Sequence, residues 1–175
     1  MTTPGEHRDQ PSARTSAQSM AARRGCVLAA HGSDFRKLAV ICARFLKAAM
    51  PDLQIHLFTD AAVETEFLDG QTVLDDAWHR TKLDAMLRSP FDQTLYIDVD
   101  AFALLDISDG FELLANHDMA LCHDQWRNQP YDEGKARTDL PHAFAVLNSG
   151  VIFYRRSPDV LAFLTQWRDE VARTQ

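Results

Sequence analysis

The chain has 175 residues, enough for one domain with a hydrophobic core and too few for two of ordinary size. Its apolar share of 46 % is that of a soluble globular protein, and no apolar run is long enough to cross a bilayer. The formal net charge of −7 argues against a nucleic-acid or membrane-surface binder with a basic face, but not against an anionic ligand held through a divalent cation.

Residues 1–24 are rich in Ser, Thr, Gln and Arg and poor in large apolar groups, which predicts a disordered tail. They lack the apolar middle of a secretory signal, so the default location is cytoplasmic. Residues 25–175 are expected to form the folded domain. It opens with the short apolar strand 26–30, followed by the turn "HGSD". A helix is predicted over "FRKLAVICARFLKAAM", with Leu38, Ile41, Phe45, Leu46 and Ala49 on its apolar stripe. Pro51 and Asp52 stop it, "LQIHLFTD" reads as the second strand, and "QTVLD" as a short third. The next helix is "DDAWHRTKLDAMLRS", closed by Pro90 and followed by the strand "QTLYIDVD", with Tyr96 or Leu95, Ile97 and Val99 as its apolar set. "SDGFELLAN" reads as a helical turn capped by Ser108, and "DMALCHD" as another strand, with Asp118, His123 and Asp124 at its ends. Residues 125–142 form a long polar loop by composition; Trp126, Tyr131 and His142 in it are candidates for contact with a bound molecule. "LNSGVIFYRR" returns to strand, and a terminal amphipathic helix starts at Pro158 with Ser157 as N-cap. Alternating strands and helices predict an α/β fold with a mostly parallel sheet. Cys26, Cys42 and Cys122 form no CxxC pair and are expected to be buried free thiols.

The chemistry concentrates at "TLYIDVDAFALL". Residues two apart in an extended chain point the same way, so Asp98 and Asp100 converge while Val99 faces the core. Two neighbouring carboxylates repel and call for a cation or for solvent. Their oxygens suit Mg²⁺ or Mn²⁺, and the carboxyl ends of strands are where open α/β sheets bind ligands. A solvated strand end and a nucleophilic Asp98 are the competing readings. The second would be that of a haloacid-dehalogenase-type phosphohydrolase, but several elements precede this motif and Ala101-Phe102 follow it.

The stretch "HRTKLDAMLRSPFDQTLYIDVDAFALLDISDGFELL", with "CVLAAHGSDF" before it and "LNSGVIFY" after it, resembles the GT-A glycosyltransferases, most closely the family 8-like sugar-nucleotide transferases. The resemblance implies a GT-A (Rossmann-like) fold over residues 25–172 and transfer of a sugar from a UDP- or GDP-sugar donor to an unknown acceptor. Asp98 and Asp100 would match the pair that holds Mn²⁺ or Mg²⁺ against the donor's diphosphate. Ala29, Ala30 and His31 would border the base and ribose, with Asp34 nearby; Arg80 and Lys82 would reach the phosphate or sugar. Asn148, Ser149 and Gly150 would match the Asn-small-Gly turn beside the sugar, and no enzymic nucleophile is named. Related transferases continue past that strand to a further acidic motif and a C-terminal His that completes metal coordination. Gln175 comes before either, so a truncated form, a minimal relative and an inactive nucleotide-sugar-binding module are all expected alternatives.

Overall fold

A computed structural model describes residues 22–75, 81–127 and 140–173. In chain order they form β1 (Arg24–Ala30), α1 (Ser33–Ala49), β2 (Gln54–Thr59), β3 (Gly70–Val73), α2 (Thr81–Leu87) and β4 (Gln93–Ile97). A 3₁₀ helix (Ser108–Ala115), β5 (Met119–Arg127), β6 (Ala145–Arg155) and α3 (Pro158–Arg173) follow. The six strands make one sheet in the order β3-β2-β1-β4-β6-β5. β1 pairs in parallel with β2 and β4, while β6 runs antiparallel to both β4 and β5. The architecture is the expected α/β sheet, mostly parallel and flanked by helices.

Alternation along the strands divides the core into two faces. Cys26, Leu28 and Ala30 of β1 join Leu95, Ile97 and Val99 beneath α1 and the 3₁₀ helix. Val27, Tyr96, Ile152 and Tyr154 pack on the opposite face with Ala85 and Met86 of α2 and Val160 and Leu164 of α3. β1 starts at Arg24, inside the segment assigned to the tail: Arg23 donates to Asp92, and Arg24 to Gln93 and Glu112.

Three local expectations change. The buried face of α1 is Ala39, Cys42, Ala43 and Leu46, whereas Ile41 and Phe45 are 44 % and 39 % exposed. Small residues let the helix approach the sheet closely, and Phe45 is left to pack its ring on Phe102, centroid to centroid 5.2 Å. Ser108 does not cap its helix with its side chain; instead its N–H donates to Asp106 Oδ1 at 2.8 Å. Cys26 and Cys42 are buried, but Cys122 is exposed because β5 lies at the sheet edge. At α3 the Ser157 hydroxyl accepts the Val160 N–H at 3.3 Å, as an N-cap should. Asp118 accepts from Arg155, and with His123 and Asp124 it belongs to no cluster of metal-ligating side chains among the described residues. Among those residues no helix is long and apolar enough to cross a membrane.

Candidate functional site

The carboxyl ends of β1 and β4 open into a cavity of about 340 Å³ lined by Ala29, His31, Phe35, Thr81, Lys82, Tyr96, Asp98, Val99 and Asp100. This is the position where open α/β sheets bind ligands. A larger recess of about 820 Å³ lies between β3, α2 and α3, and two of its charged groups, Asp84 and Arg168, face each other at 3.9 Å.

Each wall has a local cause. β4 ends at Ile97, and the chain turns at once, Ala101 N–H donating to the Asp98 carbonyl at 2.9 Å. That turn presents Asp98 and Asp100 to the cavity while Val99, 5 % exposed, stays in the core. From behind, the Cys42 thiol of α1 donates to the Ala101 carbonyl at 3.2 Å. Burial, and then the charge of Asp100, pushes that thiol up to about 12, so it stays protonated and keeps the bond. The β1–α1 turn needs Gly32, whose φ of 89° is left-handed. Asp60 at the end of β2 pins this turn, accepting from Arg36 at 2.6 Å and from the Gly32 N–H.

β6 borders the cavity without lining it, through contacts with Lys82 and Asp98. Two steps along β5, from Leu121 to His123, correspond to five along β6, from Ile152 to Leu147. The surplus residues bulge away from β5 toward the end of β4, and bulges of this kind re-aim side chains. The Asp98 N–H donates to the Gly150 carbonyl at 2.8 Å, and the Gly150 N–H to Asn148 Oδ1 at 2.8 Å. A Cβ built on Gly150 would stand 3.0 Å from Asn148 Oδ1 and 3.3 Å from Asp98 Oδ2, so glycine is what lets this backbone sit against the carboxylate.

The polar contacts converge on one oxygen. Tyr96 donates its hydroxyl to Asp98 Oδ1 at 2.6 Å, and Lys82 Nζ lies 3.6 Å from the same atom. The ammonium also donates to Ser149 Oγ at 2.9 Å and stands 5.6 Å from the centre of the Tyr96 ring. Burial, and next the charge of Asp98, raises the Tyr96 hydroxyl well above its ordinary value, so it remains a donor.

Of the residues singled out from sequence, Ala29, His31, Lys82, Asp98 and Asp100 line one cavity, and Ser149 and Gly150 border it through Lys82 and Asp98. The Ala30 side chain faces the other side of the sheet and is buried beneath α1, because it alternates with Ala29. Asp34 is exposed and pairs with Lys37 at 2.9 Å. Asn148 acts on the Gly150 backbone. Arg80, Tyr131 and the Trp126 side chain fall outside the described residues, and His142 lies in an exposed turn before β6. Sequence reasoning passed over Tyr96, Phe35 and Thr81. Tyr96 had a signal: it lies two residues before Asp98, near the end of the strand that leads into the pair.

The donor set suits a hard cation. Two carboxylates share the cavity, and on Asp98 the Tyr96 hydroxyl and the Lys82 ammonium both approach Oδ1, leaving Oδ2 on the Gly150 side. No group of three or more His, Cys, Asp or Glu side chains that could hold a metal occurs among the described residues. Mg²⁺ is ordinarily bound by one or two carboxylates plus substrate phosphates and water, so a pair is enough for it.

The same arrangement of strands and helices is found in solved structures. The galactosyltransferase LgtC, whose structure was also solved in complex with donor and acceptor sugar analogues, matches with TM-scores of 0.51–0.52 at 16–17 % identity. These matches cover 83 % of this chain and 59 % of LgtC. The fold is GT-A. The glycosyltransferase GlyE of Streptococcus pneumoniae TIGR4 matches with a TM-score of 0.51 at 18 % identity, over 87 % of this chain and 37 % of GlyE. The chain thus spans under two thirds of either GT-A neighbour. No protein-family model and no curated protein matches the sequence.

Proposed function

We propose that this GT-A domain binds a nucleoside-diphosphate sugar, a UDP- or GDP-sugar, through Mn²⁺ or Mg²⁺, and transfers the sugar to an acceptor. The observation that carries the proposal is the convergence of Asp98, Asp100 and Lys82 on one cavity at the strand ends of this fold. Glycosyltransferase neighbours, one of them solved with donor and acceptor sugar analogues, support the reading.

Asp98 and Asp100 would hold the cation, which when bound supplies Lewis-acid stabilisation of the departing diphosphate. The chain's own residues bind and orient. Lys82 offers a second positive charge to a phosphate or sugar oxygen while Ser149 holds its ammonium in place. Ala29 and His31, with Phe35 of α1, form the wall for the base and ribose. Gly150 lets the β6 backbone approach the sugar.

Calorimetric titration with UDP and GDP, with and without Mn²⁺, tests this reading. Metal-dependent binding by the wild-type protein, lost in Asp100→Ala, together with slow hydrolysis of the matching nucleotide sugar, is the expected result. Binding without any donor turnover would reduce the domain to a nucleotide-sugar-binding module. Absence of nucleotide binding in any metal would overturn the proposal, and phosphatase turnover lost in Asp98→Asn would point to a phosphohydrolase instead.

A further inference from the structure

Asp98 differs from Asp100 in what surrounds it. Its backbone is fixed from both sides, the N–H by Gly150 and the carbonyl by Ala101. Its side chain receives a 2.6 Å hydrogen bond from the Tyr96 hydroxyl on Oδ1. The phenol that makes this bond cannot wander: Tyr96 is 2 % exposed, in the middle of a ladder that pairs it with Val27 on one side and Ile152 on the other. Its only polar atom therefore emerges from the core at one point, beneath the cavity floor. Lys82 approaches the same oxygen at 3.6 Å, over the ring of the same tyrosine.

A carboxylate rotates about its last bond in a broad well, so an isolated strand-end aspartate offers either oxygen to solvent. Here the phenol occupies one oxygen, and the Gly150 backbone, with no Cβ, leaves room beside the other. From this we infer that Tyr96 is the positioning residue of the metal pair: its hydroxyl fixes the Asp98 carboxylate so that Oδ2 is presented, preoriented, to the cation. The inference rests on the cation-assisted donor binding proposed above and adds a residue that acts on the cation through Asp98. It also gives the buried hydroxyl a reason to exist. A phenylalanine would fill the same core volume without requiring a polar partner at the sheet's edge.

The test compares two tyrosines that differ in one respect. Tyr154 is as buried as Tyr96, packs in the same layer, and also donates its hydroxyl, to the Met86 carbonyl at 2.6 Å, away from the cavity. Mn²⁺ affinity is measured by calorimetry and by electron paramagnetic resonance of free Mn²⁺, for wild type, Tyr96→Phe and Tyr154→Phe. Near-ultraviolet circular dichroism on each protein verifies the fold. Tyr96→Phe should weaken Mn²⁺ binding about tenfold, the size typical for loss of a ligand's supporting hydrogen bond. Tyr154→Phe should stay within twofold of wild type. Equal weakening in both variants would make Tyr96 merely structural, and unchanged affinity in Tyr96→Phe would overturn the inference while leaving the proposed function standing. A wild-type protein that binds no Mn²⁺ would overturn both.

Discussion

At the scale of single residues, the site depends on three short approaches: Tyr96 to Asp98, Lys82 to Ser149, and the Gly150 backbone to Asp98. The last gives a direct prediction. In Gly150→Ala the new methyl would press on Asn148 Oδ1 and Asp98 Oδ2 at 3.0 and 3.3 Å, so one of them must give way. Mn²⁺-dependent UDP affinity should fall roughly tenfold, with a stability cost of only about 1 kcal/mol; titration and urea unfolding measure the two separately. Asp98 and Asp100 were legible as an Asp-x-Asp pair closing an apolar strand, but β4 ends at Ile97 and a turn, rather than the alternation of an extended chain, brings both to the cavity. Tyr96 went unseen because an aromatic residue in an apolar run reads as core, and it is both core and polar contact. The Lys82–Ser149 bond joins positions 67 residues apart, and no local pattern announces such a contact.

At the scale of elements, the strands were easier to read than the helix faces. β1 is a continuous apolar run from Cys26 to Ala30, and β2 and β4 are mostly buried on both sides, which is what parallel strands between helix layers require. α1 misled in part: Leu46 of the predicted stripe is fully buried, but the large Ile41 and Phe45 are exposed. Ala39, Cys42 and Ala43 face the sheet, and size rather than hydropathy selected them for that close contact. Leu46→Ala should therefore cost about 2–5 kcal/mol as a cavity in the core. Phe45→Ala should cost only about 1 kcal/mol, the worth of its ring contact with Phe102. Chemical denaturation of the two variants tests this; the reverse order would mean that Phe45, not Leu46, faces the core. Of the β6 bulge only the Asn-small-Gly turn at Asn148, Ser149 and Gly150 was legible; the surplus residues appear only in the pairing with β5.

At the scale of the whole molecule, both the sheet order and the acid response follow from contacts across the layers. Asp60 ties β2 to the β1–α1 turn, and its hydrogen bond from Arg36 is the largest influence that lowers its carboxyl from 3.8 to about 2. A carboxylate depressed in the folded state contributes stability that is present above its unfolded pKa and lost as pH falls through the folded one. The stability difference between wild type and Asp60→Asn should thus be roughly 1–2 kcal/mol after allowance for solvent screening. It should hold steady from neutral pH down to about 4 and close as pH approaches 2. His56, held neutral by burial, adds a decline that begins as pH drops below its ordinary 6.5. Thermal melts across this range measure both. The order in which strands and helices follow one another made the α/β class and the GT-A resemblance readable, whereas the cavity's dimensions depend on side chains brought together from four separate elements and their turns.

The central claim is that Asp98 and Asp100 jointly hold a cation against a diphosphate. Anomalous diffraction at the manganese edge, from crystals grown with MnCl₂ and UDP, tests it most directly. One peak is expected at about 2.0–2.2 Å from oxygens of both carboxylates, with a phosphate oxygen completing the contact. A manganese peak elsewhere, or bound UDP with no metal between these two aspartates, would contradict it.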